Sequence, residues 1–136
     1  MRDFNKAIRL KPDYARAFKN RAAAYEAMKD DVRARADLDE SLRLEHDAET
    51  FYRRAQMKMR SHDKAGAIDD LTRAIELDPS FQLAFLLRGA VRRELGDEDG
   101  MIADYKRSQE LDPDSPLQVV SYGRFGLTER LRRWIR

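Results

Sequence analysis

Apolar positions along the chain recur at helical spacing and then stop. In KAGAIDDLTRAIELDPS, residues 64–80, the side chains of Ala67, Ile68, Leu71, Ala74, Ile75 and Leu77 fall on one stripe of a helix. Pro79 follows, and a proline cannot continue a helix. The same pattern closes at Leu10, Leu44 and Leu111, so its last leucine returns after 34, 33 and 34 residues. Self-similarity at such a period marks a structural repeat.

A second stripe alternates with the first. It reads Phe18, Ala22, Tyr25 in DYARAFKNRAAAYEAMKDD, then Phe51, Ala55, Met57, Met59 in AETFYRRAQMKMRSHD, then Phe85 and Gly89 in FQLAFLLRGAVRRELGDEDG. Phe18, Phe51 and Phe85 stand 33 and 34 apart, as do Ala22, Ala55 and Gly89, while Phe4, Leu38, Leu71 and Tyr105 follow at 34, 33 and 34. Large residues at one depth and small ones at another suit two antiparallel helices, a knob on one entering a gap on the other. Turns are predicted at Asp30-Asp31, His62-Asp63 and Gly96-Asp97. The residue missing from the shorter period lies between Leu44 and Phe51, in a loop, where its loss costs little.

On these residues the chain resembles the tetratricopeptide repeats over about residues 1–113. The features are the period, the aromatic at Phe18, Phe51 and Phe85, the small residue at Ala22, Ala55 and Gly89, Ala34 and Ala67 with Met101 departing, and the closing prolines. His46 replaces one proline, and Ser41 and Ser108 replace a usual alanine. The resemblance implies an all-α fold, a right-handed superhelical solenoid of antiparallel helix pairs. It divides a single domain, 1–136, into the second helix of a truncated repeat (1–12), repeats at 13–46, 47–80 and 81–114, and a capping, basic tail (115–136). There Ser115, Pro116 and Gln118 have the spacing of a helix start, and Leu127, Leu131, Trp134 and Ile135 give a stripe suited to a capping helix.

The resemblance also implies where a partner binds. In the family the first helix of each pair lines the concave groove, and register puts Arg16, Lys19, Asn20 and Ala23, then Glu49, Tyr52, Arg53 and Gln56, then Leu83, Leu86, Leu87 and Ala90 on that side. The expected partner-binding set is Arg16, Lys19, Asn20, Tyr52, Arg53, Gln56, Leu83, Leu86 and Leu87: polar and cationic early, apolar late. A peptide or helix of a protein partner, with a polar or acidic segment, fits this order. Some family members grip acidic chaperone tails with a clamp of lysine, asparagine and arginine. FKNRAAAY looks like its second repeat, Asn20 matches, and Arg53 falls where its arginine stands, but Glu49 replaces a lysine and the helix for the first lysine and asparagine is absent.

Charge and composition narrow the classes further. Residues 1–121 carry 22 lysines and arginines against 24 acids, whereas 122–136 carry five arginines against Glu129, so the basic balance belongs to the tail. A near-neutral body gives no broad basic face for nucleic acid. No apolar run reaches the roughly 18 residues of a membrane span, and no signal-peptide order opens the chain. The absence of cysteine excludes disulfides and thiolate metal sites; it fits a reducing cytosol without excluding export, so the compartment stays open.

No nucleophile–base pair, Gly-rich phosphate loop or cofactor motif is visible, and the reading is of a non-catalytic protein with no cofactor and no metal. His46 and His62 read as turn residues. The acidic pairs Asp30-Asp31 and Asp69-Asp70 read as solvated charges at helix starts or on outer faces.

One stripe lacks its partner. Phe4, Ala7 and Ile8 need a covering helix that the sequence does not supply, and each large residue left in water forfeits about 1.5–3 kcal/mol. The expectation is that an upstream part of a longer array covers it, or a homotypic contact. The alternative function is accordingly structural: assembly through self-association of the Phe4/Ile8 face or of the C-terminal helix.

Overall fold

Asp30, Asp47, Asp63 and Asp97 each turn a carboxylate onto a backbone N–H three residues on, that of Arg33 (3.2 Å), Thr50 (3.2 Å), Gly66 (2.9 Å) and Gly100 (2.9 Å), and each opens a helix. A side chain in this place satisfies a donor that the helix itself leaves open. The computed structural model describes residues 1–11 and 13–114. Among them are seven α-helices and no strand: α1 (Arg2–Leu10), α2 (Ala15–Ala27), α3 (Asp31–Leu44), α4 (Ala48–Arg60), α5 (Lys64–Leu77), α6 (Gln82–Glu94) and α7 (Glu98–Leu111). The all-α repeat pattern of the sequence is therefore observed. The expected stop at Pro12 and the expected capping helix over 115–136 lie outside the described residues.

The chain divides into two compact units, one up to Pro79 and one from Ser80. In the first, Ser41 Oγ on late α3 donates to the Ala15 carbonyl at the start of α2 (3.0 Å), and Arg33 on early α3 lies over the Tyr25 ring on late α2, so the two helices run antiparallel. Ala22, Ala34 and Leu38 pack together with Met57 of α4 and the half-buried Tyr25. In the second unit Met101 and Tyr105 of α7 form the buried cluster, with Leu86 of α6 and Ile102 packed on it. The loop between α3 and α4 has three residues where the loops before α2 and α6 have four, which is where the period loses its residue.

The small-residue positions do what their spacing predicts. Ala22 and Ala55 are fully buried. A Cβ built on Gly89 would stand 2.7 Å from the Tyr105 ring, so the one glycine of the series faces the one tyrosine of the opposing series Leu38, Leu71, Tyr105.

Both units also hold a device that the hydrophobic pattern does not announce. Arg21 Nε and Nη2 each meet an Asp37 oxygen at 2.7 Å; Arg54 grips Asp70 the same way at 2.9 and 2.7 Å, and Arg88 grips Asp104 at 3.0 and 2.8 Å. Each guanidinium also lies 5.5–5.7 Å from the ring centre of the phenylalanine three residues before it, Phe18, Phe51 or Phe85. Two-point ionic bonding and cation–π contact are both geometries that arginine, not lysine, satisfies. Asp70 further accepts Lys58 Nζ at 2.9 Å, and Asp104 accepts Arg92 Nη1 at 2.8 Å. The expectation of a solvated Asp70 is corrected here: it is 2% exposed, because its charge is matched by two cations from α4. Asp30 and Asp69 do fit that expectation, the first as a cap and the second exposed.

In the first unit the same arginines reach backward. Arg21 Nη1 donates to Asn5 Oδ1 of α1 at 3.0 Å, and Arg54 Nη1 meets Asp39 Oδ1 of α3 at 3.0 Å. Asn5 and Asp39 are 34 residues apart, so α1 stands to α2 as α3 stands to α4.

The turns inside the helix pairs share one backbone feature. Lys29, His62 and Gly96 occupy the same register and all have positive φ, 60°, 62° and 79°. Only glycine enters this region without a Cβ penalty, which is about 1–2 kcal/mol for other residues. Lys29→Gly and His62→Gly are expected to raise stability by about 0.5–1 kcal/mol each, the relief exceeding the entropy that glycine adds to the unfolded chain. The midpoint of urea unfolding checks this; no upward shift in either variant contradicts it.

Candidate partner-binding surface

Six of the nine expected contact residues lie in the first unit, on α2 and α4. Arg16, Lys19 and Asn20 follow one another along α2, and Tyr52, Arg53 and Gln56 along α4, because both stretches continue past a buried aromatic whose neighbours must turn outward. The structure brings the two rows together. Arg53 extends from α4 to the Lys19 carbonyl (Nη1–O 3.5 Å), and its other nitrogen pairs with the Glu26 carboxylate.

Both central cations are already engaged. Lys19 Nζ lies 3.4 Å from Asp47 Oδ2 and 4.0 Å from Glu49 Oε2. These are partly exposed contacts, the kind that contribute about 0–1 kcal/mol and exchange readily. Burial pushes the Asp47 pKa upward, but the Thr50 hydroxyl and N–H and the Lys19 charge outweigh it and leave the carboxyl below its usual range. Asp47 thus does two jobs, capping α4 and holding Lys19.

The remaining residues differ in how they are held. Arg16 and Asn20 are exposed and have no hydrogen bond or ion pair among the described residues. Gln56 Nε2 donates to the Tyr52 hydroxyl at 3.4 Å, and partial burial raises the phenol's pKa above its ordinary value. Beside Lys19 opens a cleft of about 150 Å³ with Arg16 and Lys19 on one wall, Glu45 and Asp47 on the other and Thr50 at its base. Its paired signs suit a polar ligand segment that carries both donors and acceptors.

In the second unit Leu83 is 39% exposed on α6, and Leu87 is half-buried. Leu86 is packed on Met101 and Tyr105, so part of this side chain belongs to that unit's core. Among the described residues no group of three His, Asp or Glu side chains could hold a metal ion, and no helix is long and apolar enough to cross a membrane.

The repeat geometry is matched by sequence. The tetratricopeptide repeat profile fits residues 48–81 and 84–115, each covering one helix pair. The chain is a tetratricopeptide repeat protein. No curated protein sequence matches it. Solved structures do: a crystal structure of MamA protein superposes with a TM-score of 0.83 at 22% identity over 98% of this chain and 76% of its own. Another crystal structure of MamA matches at 24% identity with a TM-score of 0.77 over 82% of this chain, which spans 66% of the length of that structure. The first tetratricopeptide repeat domain of Spaghetti (RPAP3), bound to the HSP90 peptide SRMEEVD, is 20% identical over 89% of this chain and 92% of its own, with a TM-score of 0.75. The second such domain of human RPAP3, in complex with the HSP70 peptide SGPTIEEVD, is 25% identical over 76% of this chain and 87% of its own, with a TM-score of 0.70. At these identities the tetratricopeptide repeat fold is what is shared.

Proposed function

We propose that this chain is a non-catalytic protein-interaction module that receives an acidic peptide segment across α2 and α4, on Lys19, Asn20, Tyr52 and Arg53, with Arg16 and Gln56 at the margins. The observation that supports it most directly is the state of the two cations. Lys19 and Arg53 each hold a carboxylate of the chain itself, from Asp47 and Glu26. A surface that keeps two basic groups beside one another through weak, exchangeable ion pairs offers the same groups to a carboxylate of a partner. Peptides ending in acidic residues are what the two RPAP3 domains hold. The apolar Leu83 and Leu87 on α6, with the outer part of Leu86, are proposed to take an apolar segment of a partner.

The test is fluorescence anisotropy with a labelled acidic peptide, SRMEEVD, against a version in which both glutamates are lysine. Binding is expected for the acidic peptide only, weakening as salt rises. Lys19→Glu with Arg53→Glu should reduce it about tenfold or more while far-ultraviolet circular dichroism stays unchanged. Binding that survives the double reversal removes α2 and α4 from the site.

A further inference from the structure

The first helix presents an uncovered half-site. In α3, α5 and α7 one stretch is buried: Asp37-Leu38 with Ser41, Asp70-Leu71 with Ala74, Asp104-Tyr105 with Ser108. The same register on α1 reads Asp3-Phe4 with Ala7, and α1 buries no residue. The Asn5 contact to Arg21 shows that α1 is nonetheless seated as the second helix of a repeat. What it lacks is the first helix of its own pair. Asp3 is exposed and has no ion pair or hydrogen bond among the described residues, although the three aspartates in its register are each gripped by an arginine.

The molecule states three times what fits such a face. The helix opposite carries Phe-x-x-Arg followed by a small residue: Phe18-Arg21-Ala22, Phe51-Arg54-Ala55 and Phe85-Arg88-Gly89. The arginine takes the aspartate, the phenylalanine shields the guanidinium, and the small residue makes room for the large side chain after the aspartate. We infer that the Asp3, Phe4, Ala7 and Ile8 face of α1 is a docking surface for an amphipathic helix of a partner protein bearing Phe-x-x-Arg-Ala or Phe-x-x-Arg-Gly, with its arginine on Asp3. Charge complementarity selects this occupant over a purely apolar helix, because an apolar helix would bury Asp3 without a cation, and an unpaired buried carboxylate is strongly unfavourable. The surface is distinct from the α2 and α4 residues of the proposed peptide site.

The chain itself supplies the probe. A labelled, acetylated and amidated peptide copying residues 48–60, AETFYRRAQMKMR, is titrated with the full chain and followed by anisotropy. Saturable binding is expected, with Asp3→Lys weakening it about tenfold or more. A peptide carrying Arg54→Asp should fail on the natural chain and recover on Asp3→Lys to within about threefold of the original pair, which a nonspecific apolar contact does not reproduce. Absence of saturable binding overturns the inference. So does equal binding to Asp3→Lys, or sedimentation showing a dimer that Phe4→Ser dissolves, since the face would then belong to a second copy. Lys19→Glu with Arg53→Glu, the reversal that tests the peptide site, should leave this binding intact.

Discussion

Asp70→Ala is expected to cost about 3–5 kcal/mol, enough to unfold much of a marginally stable domain. The carboxylate is 2% exposed and accepts three charge-assisted bonds, two from Arg54 and one from Lys58. Its removal strands two cations whose side chains are only 19% and 12% exposed. Replacing the group together, Arg54→Met and Lys58→Met with Asp70→Leu, should recover most of the loss, because apolar side chains of similar volume leave no buried charge to solvate. Guanidinium unfolding followed by circular dichroism gives both numbers. A loss below about 1 kcal/mol for Asp70→Ala would show that water reaches the cations and that the buried pair is not what holds α4 to α5.

The second large effect is expected at Gly89, where an added methyl meets the Tyr105 ring at 2.7 Å and Asp104 Cβ at 3.3 Å. Tyr105 is 3% exposed and packed on Met101, so its ring has little room to withdraw. Overpacking of this kind costs about 1–3 kcal/mol, and the higher helix propensity of alanine, about 1 kcal/mol, offsets only part. Tyr105→Leu alone should also destabilise by leaving a void. Combined, the two changes reproduce the Ala22–Leu38 and Ala55–Leu71 combinations already present. The double variant is expected to recover at least about 1 kcal/mol relative to the sum of the single ones. Additive losses would mean that the two side chains are not fitted to each other.

Much of the helical framework is legible in the spacing of apolar residues alone. Stripes such as Ala67, Leu71 and Ala74 repeat at a fixed period, and burial of an apolar stripe is set by local spacing. The ionic framework is equally periodic, with Arg21, Arg54 and Arg88 each 16 residues before Asp37, Asp70 and Asp104. It is overlooked because a charged residue on a helix reads as solvated until its partner across the helix pair is considered. The register that aligns Phe18 with Phe51 aligns these too. At the candidate site, register identifies Lys19 and Arg53 but not their occupation. Lys19 meets Asp47 because a three-residue loop brings the start of α4 close, and Arg53 meets Glu26 at a separation that no period contains.

The backward reach of Arg21 and Arg54 bears on how the first unit comes apart. Each guanidinium is shared between the second helix of its own pair and that of the pair before, through Asn5 or Asp39. In the language of a one-dimensional lattice, the coupling between neighbouring sites is then carried by the same side chain as the energy within a site. Losing one pair weakens the boundary of the next, and fraying from either end becomes a propagating event instead of a local one.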